Sequence, residues 1–315
     1  MTMIAARIHQ YGDSSALKLD QIPIPRPHAY GVQVRVAAVS VNPVDWKICR
    51  GALAPLLHSP FPITLGYDVS GTVTAVGDAV TNFQVGDEVY GMVNFPFPAG
   101  GYAEYVVTQP AQLAKKSASL SHVESAALPL VTLTAWQALF DTAQLSAGQR
   151  VLIHAASGGV GHIAVQLAKW KGAHVIGTAS AANEQYLHEL GVDTFINYRE
   201  SEFDAVLQND PVDVVLGTIP GETLHRSFKI VKPNGTVASI TEDPAEMAQE
   251  LGIRGLRVTV RPKQSQLVEA ARLADEGMLK PTIGGVYPLA NIQEAHDMSQ
   301  SGRVRGKLVL EVSRT

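Results

Sequence analysis

Residues 155–161 read Ala-Ala-Ser-Gly-Gly-Val-Gly and stand between an apolar run, RVLIH, and a helical pattern, VGHIAVQLAKWKG. Glycines at a strand-to-helix turn let backbone N–H groups close on a phosphate, and the positive end of the helix dipole favours the anion. The chemistry implied is capture of a dinucleotide pyrophosphate by Ser157, Gly158, Gly159, Val160 and Gly161. Strict G-x-G-x-x-G spacing requires glycine where Ala156 stands, so the turn alone leaves a plain structural turn open. The strand before it, the helix after it and the further strand-helix units favour the dinucleotide. About twenty residues on, where a carboxylate would hold a ribose 2′-hydroxyl, the chain has Thr178-Ala179-Ser180. Small hydroxyl residues leave room there for a 2′-phosphate. Tyr198 and Arg199, after the next apolar run, supply a hydroxyl and a positive charge, with a solvated loop as the alternative for both. The expected cofactor is therefore NADPH.

The elements that must position these residues fall into two textures. Four short runs, at 31–41, 68–77, 86–93 and 103–109, alternate Val with polar residues between turn formers, the pattern of an antiparallel or barrel-like β region. A helical stretch over 121–145 opens with Ser121 and Glu124 at capping-box spacing and should break or kink at Pro129. From residue 149 short apolar strands alternate with amphipathic helices, which predicts βαβ units and a parallel sheet covered on both faces. The run at 306–312 returns as a strand to the first domain. The expected domains are 1–122, completed by 281–315, and 123–280.

With 315 residues, 46% hydrophobic and 17% charged, the chain is long enough for one large globular domain or two medium ones. A formal net charge of −4 offers no basic excess for a nucleic acid. No apolar run reaches the roughly 18 to 20 residues of a membrane helix, and the opening MTMIAARIHQYGD has no apolar core after a basic cluster, so a cytoplasmic chain is expected. The single cysteine, Cys49, excludes an intrachain disulfide and reads as a packing residue. His154, His162 and His174, in or beside strands and helices, read as structural.

The chain resembles the medium-chain dehydrogenase/reductase superfamily, in its zinc-independent, zeta-crystallin-like quinone oxidoreductase branch. The resemblance rests on Ser40-Val41-Asn42-Pro43-Val44-Asp45-Trp46-Lys47, Gly66-Tyr67-Asp68-Val69-Ser70-Gly71, Phe83-Gln84-Val85-Gly86-Asp87, Gly101-Tyr102-Ala103-Glu104-Tyr105, residues 128–136, the 155–161 loop and Gly306-Lys307-Leu308-Val309-Leu310. It implies an α/β chain with a GroES-like β-barrel substrate domain plus a Rossmann doubly wound parallel-sheet cofactor domain. It also implies a threonine at the nicotinamide, matched by Thr134, whose hydroxyl has its own helical turn as the alternative partner.

Zinc members of the superfamily are similar but carry a Cys ligand in the turn matched by 42–45 and a His-Glu pair where Tyr67-Asp68 stands. About three protein ligands must converge on a catalytic zinc, so no metal is expected. Without a metal, an enone or quinone is the easier acceptor, because conjugation carries the hydride's charge to an oxygen. Asn42 is the candidate side-chain donor to that oxygen and Lys47 the candidate charged one. A turn former before Pro43 and a surface charge are the respective alternatives, and relatives that resemble this segment carry tyrosine near Lys47. The function expected is an NADPH-dependent quinone or enone oxidoreductase. A non-catalytic NADPH-binding redox sensor or structural protein, and an alcohol dehydrogenase, are the alternatives. The alternating run at 255–262 reads as an edge strand that would pair two copies into a homodimer. Loops at 51–60 and 94–100 read as apolar pocket walls.

Overall fold

The computed structural model describes residues 1–54 and 59–312, so positions 55–58 of the expected 51–60 wall lie outside the described residues. The chain divides into two compact units, Met1–Leu130 with Arg261–Thr315, and Val131–Val260.

The first unit is built on a seven-stranded sheet. Val32–Val41 runs between Lys307–Glu311 and Asp68–Val76, and the sheet continues through Glu88–Met92 to Leu113–Lys115, with Ile283–Pro288 at its other edge and Tyr105–Thr108 on the start of Val32–Val41. Lys307–Glu311 is antiparallel to Val32–Val41, with Leu308 opposite Val41, so the C-terminal run does return to the first unit. Alternation of buried valines with polar residues fixes which face is inward, because a slip of one residue would reverse every side chain. A smaller sheet, Leu17–Pro23, Thr2–Ile8 and Ile63–Thr64, has no counterpart in the sequence reading. Its first two strands carry Ala, Lys, Asp and Gln, residues of low β propensity, and Leu17–Pro23 is buried at little more than its first residue.

The second unit is a six-stranded, all-parallel sheet. Numbered within the unit, its strands lie in the order 3-2-1-4-5-6: Thr194–Asn197, His174–Ala179, Arg150–Ile153, Val212–Gly217, Val231–Ser239 and Arg254–Arg257. This is the doubly wound dinucleotide-binding order, with its switch point between the first and fourth strands. Leu152, Ile176, Val215 and Val237 from four strands pack with Phe203, Leu224 and Phe228 in one core cluster.

The unit boundaries differ from the expected 122/123 and 280/281. The helix His122–Ala126, opened by the Ser121–Glu124 capping box, packs Ala126 and Ala127 on Ala38 and Val309 of the first unit's sheet. The next helix, Pro129–Trp136, starts at the proline, because proline fits a first turn and breaks an interior. At the other end the helix Gln264–Asp275 buries Gln266, Leu267, Ala270, Ala271, Leu273 and Ala274. It is held to the first unit by Tyr90 Oη donating to the Leu267 carbonyl and Gln264 Nε2 donating to those of Pro110 and Leu113. The edge strand expected over 255–262 spans only Arg254–Arg257 and pairs with Val231–Ser239 alone. No helix among the described residues is long and apolar enough to cross a membrane.

Ser121 Oγ accepts from Glu124 N at 3.2 Å while Glu124 Oε2 accepts from Ser121 N at 2.9 Å. Ser121→Ala should cost about 1 kcal/mol of unfolding free energy, read as a lowered urea midpoint at unchanged m.

Candidate active site

In the second unit the strand Arg150–Ile153 ends in a turn whose Ala155 takes a left-handed conformation, φ 46°. Gly158 N–H then closes on the Ala155 carbonyl at 2.9 Å and caps the helix Gly159–Trp170. Helix geometry leaves the N–H groups of Gly159, Val160 and Gly161 without intrahelical partners, and Ser157 lies half-buried beside them. A Cβ on Gly161 would sit 2.3 Å from the Ala155 carbonyl oxygen, so only glycine lets the turn fold this tightly against its helix. A tight turn with three free amide donors at the positive end of a twelve-residue helix fits a dinucleotide pyrophosphate.

The turn is held from below. Ala156 N donates to the Thr178 carbonyl at 3.0 Å and Thr218 Oγ1 to the His154 carbonyl at 2.6 Å. The His154 ring, 1% exposed, lies 2.9 Å from Ser227 Oγ through Nε2 and 3.2 Å from Thr178 Oγ1 through Nδ1. Ser227 Oγ gives its own hydrogen to the Thr223 carbonyl, so it accepts from Nε2–H, and Nδ1 accepts from the Thr178 hydroxyl. Burial pushes the imidazole down to about 4, and the ring is neutral. Thr178, expected to bind the cofactor, has its side chain buried and engaged with His154.

Ser180, Tyr198 and Arg199 follow the ends of two paired strands. Ala179 pairs with Asn197, and Tyr198 N donates to the Ala179 carbonyl at 3.2 Å, so the ends of two neighbouring strands bring the three residues to one edge. Ser180 Oγ accepts from Asn183 Nδ2, Tyr198 is 56% exposed, and the Arg199 guanidinium lies 5.8 Å from the Tyr198 ring centroid. Thr134 is buried on the helix Pro129–Trp136.

In the first unit Asn42 caps the helix Pro43–Cys49 and is fully buried. Its Nδ2 donates to Asp68 Oδ2 at 2.8 Å and its Oδ1 accepts from Lys307 Nζ at 2.5 Å. Asp68 also accepts from Ser40 Oγ at 3.0 Å and Leu130 N at 2.8 Å, and lies 3.7 Å from Lys307 Nζ. Burial pushes the Asp68 carboxyl up and the Lys307 ammonium down, and each opposes that push on the other. Asp45 accepts from the backbone N–H groups of Asn42 and Gly66, and burial pushes its carboxyl up to about 7. Lys47 is outside this cluster: it is exposed, with its ammonium 5.6 Å from the Trp46 ring centroid.

Sequence reasoning quoted Asp68 and Lys307 within their motifs but gave neither a role. The available signal was a charged residue heading a strand that carries no further charge as far as Leu310 in Lys307–Glu311 and as far as Val76 in Asp68–Val76. The residues at the expected zinc positions do not suit the ion. Asn42 and Asp68 are committed to each other and Lys307, Tyr67 offers a phenol, and the Cys49 thiol donates to the Asp13 carbonyl. Among the described residues no three His, Cys, Asp or Glu side chains form a metal-holding group.

Two predictions follow from the turn. Gly161→Ala should abolish binding of a nicotinamide dinucleotide, measured by fluorescence titration, because the methyl group forces the Ala155 carbonyl out of place. His154, ordinarily 6.5 and held at about 4, contributes stability that is complete above 6.5 and is lost as pH falls through 4. The loss is about 3 kcal/mol, and His154→Gln should flatten the urea-midpoint profile between those pH values.

Residues 28–118 match the alcohol dehydrogenase GroES-like domain family and residues 190–310 the zinc-binding dehydrogenase family. The chain is 34% identical to the chloroplast envelope quinone oxidoreductase homolog of Arabidopsis thaliana, over 98% of each chain. It is 32% identical to the quinone oxidoreductase of Rattus norvegicus, over 98% of this chain and 97% of that one. Among solved structures, the quinone oxidoreductase from Coxiella burnetii superposes with a TM-score of 0.93 at 36% identity, covering 99% of this chain and 100% of that one. The Escherichia coli quinone oxidoreductase complexed with NADPH superposes with a TM-score of 0.88 at 26% identity, covering 98% and 100%. The chain belongs to the medium-chain dehydrogenase/reductase superfamily, alongside the quinone oxidoreductases and their homologues.

Proposed function

We propose that this oxidoreductase uses NADPH to reduce quinones and α,β-unsaturated carbonyl compounds, without a metal ion. The observation that carries the cofactor reading is that Ser180, and Tyr198 with Arg199, follow the ends of two paired strands, with no carboxylate at the second strand's end. Near-full-length likeness to quinone oxidoreductases supports the acceptor class.

Bound NADPH supplies the hydride. The free amides of Gly159, Val160 and Gly161, with Ser157 and Gly158, hold the pyrophosphate, and Thr134 contacts the nicotinamide. Ser180, Tyr198 and Arg199 receive the 2′-phosphate. Reduction of a conjugated acceptor drives negative charge onto its oxygen, and the Asn42 amide donates a hydrogen bond to it. Lys47, exposed and without an ion pair among the described residues, is free to supply the proton that follows. A saturated ketone has no conjugated oxygen to take the charge and needs a stronger electrophile than an amide. Two copies pair through the exposed edge strand Arg254–Arg257, whose outer backbone groups have no partner within the sheet.

NADPH consumption should be at least tenfold faster with a small enone or quinone than with the matching saturated ketone; faster turnover of the ketone would overturn the acceptor reading. Wild-type protein should have a higher kcat/KM for NADPH than for NADH, and Ser180→Asp should reverse the order by setting a carboxylate against the 2′-phosphate. A monomeric mass by light scattering at micromolar concentration would refute the pairing.

A further inference from the structure

Asn42 is clamped between two buried charges, with the ammonium of Lys307 at 2.5 Å from Oδ1 and the carboxylate of Asp68 at 2.8 Å from Nδ2. Asn42 and Asp68 are fully buried and Lys307 is 3% exposed. A planar amide can be seated two ways, and neighbouring charges decide between them. Turned over, Asn42 would set its NH2 group against an ammonium and its carbonyl against a carboxylate. Only the observed orientation is compatible with both. The clamp is itself braced. Lys307 Nζ donates to the Val41 carbonyl at 3.1 Å, and Asp68 is fixed by Ser40 Oγ and Leu130 N.

The Nδ2 group has a second N–H, and no described residue accepts it. A buried donor left without an acceptor is costly, and functional sites are where such donors persist. An ammonium on the amide oxygen also polarises the group, which strengthens the free N–H as a donor.

We propose that Lys307 and Asp68 are positioning residues for the reduction: they lock Asn42 in the one orientation that offers its free N–H to the acceptor's oxygen. Neither needs to touch the acceptor. This rests on the reading that Asn42 donates to that oxygen, so Asn42→Ala is measured first. If it keeps kcat on an enone or quinone within twofold, that reading fails and the clamp has nothing to position.

With Asn42 required, the clamp is tested by Lys307→Met, Asp68→Asn and the double variant. Each single change strands a buried charge and should lower Tm, whereas the double variant removes both charges and should recover much of it. A purely structural pair would regain turnover with stability. A positioning pair would not: kcat of the double variant should stay at least about tenfold below wild type, with the NADPH Kd within twofold. Recovery of kcat alongside Tm overturns the proposal. Should the double variant not fold, Lys307→Gln decides, because it keeps a neutral donor without the charge that fixes the amide. Lowered kcat at unchanged NADPH Kd supports the clamp, and unchanged kcat overturns it.

Discussion

Three donors and an ammonium converge on the Asp68 carboxylate, and the polar interior of the first unit is arranged around them. A fully buried carboxylate is tolerable only with such company, since an unpaired charge in an apolar interior costs several kcal/mol. The constraint reaches the sheet itself. Ser40 stands opposite Asp68, and Leu308, next to Lys307, stands opposite Val41. Three adjacent strands thus deliver their polar residues to one level. A register slip in any of them would strand a charge as well as expose valines, so electrostatics and hydrophobic patterning specify the same pairing.

The same carboxylate accepts from Leu130 N, in the first turn of Pro129–Trp136, where helix geometry leaves N–H groups unpaired and favours an anion. Asp68 therefore serves as partner to a lysine, anchor for an amide and cap for a helix. Asn42 is equally committed, which is why a residue that reads as a turn former before proline turns out to be held on both ends of its amide.

In the second unit the governing constraint is close approach of backbone. Gly161 lets the helix start against the Ala155 carbonyl, and His154 fills the space below with a neutral ring satisfied at both nitrogens. Neutrality suits a group that lies beneath the proposed pyrophosphate site without being needed to bind the anion. Fixed amide dipoles attract the anion there, and they carry no dependence on pH.

Much was legible from residue order alone. Period-two valines marked four of the seven strands of the first unit's main sheet, and the strand-helix rhythm after residue 149 marked the parallel sheet, because these patterns are local and every residue in them reports on its own face. The glycine turn could be placed between its strand and helix for the same reason. Only the tertiary structure decided which polar side chains act together. The helices at 122–126 and 264–275 went to the first unit because of what they pack on, and Thr178 turned inward to His154. Lys307 and Asn42, 265 residues apart, meet at 2.5 Å while Lys47, five residues from Asn42, is exposed. Nearness in sequence carries no information about which ammonium reaches an amide; sheet register does, and register follows from burial summed over many residues.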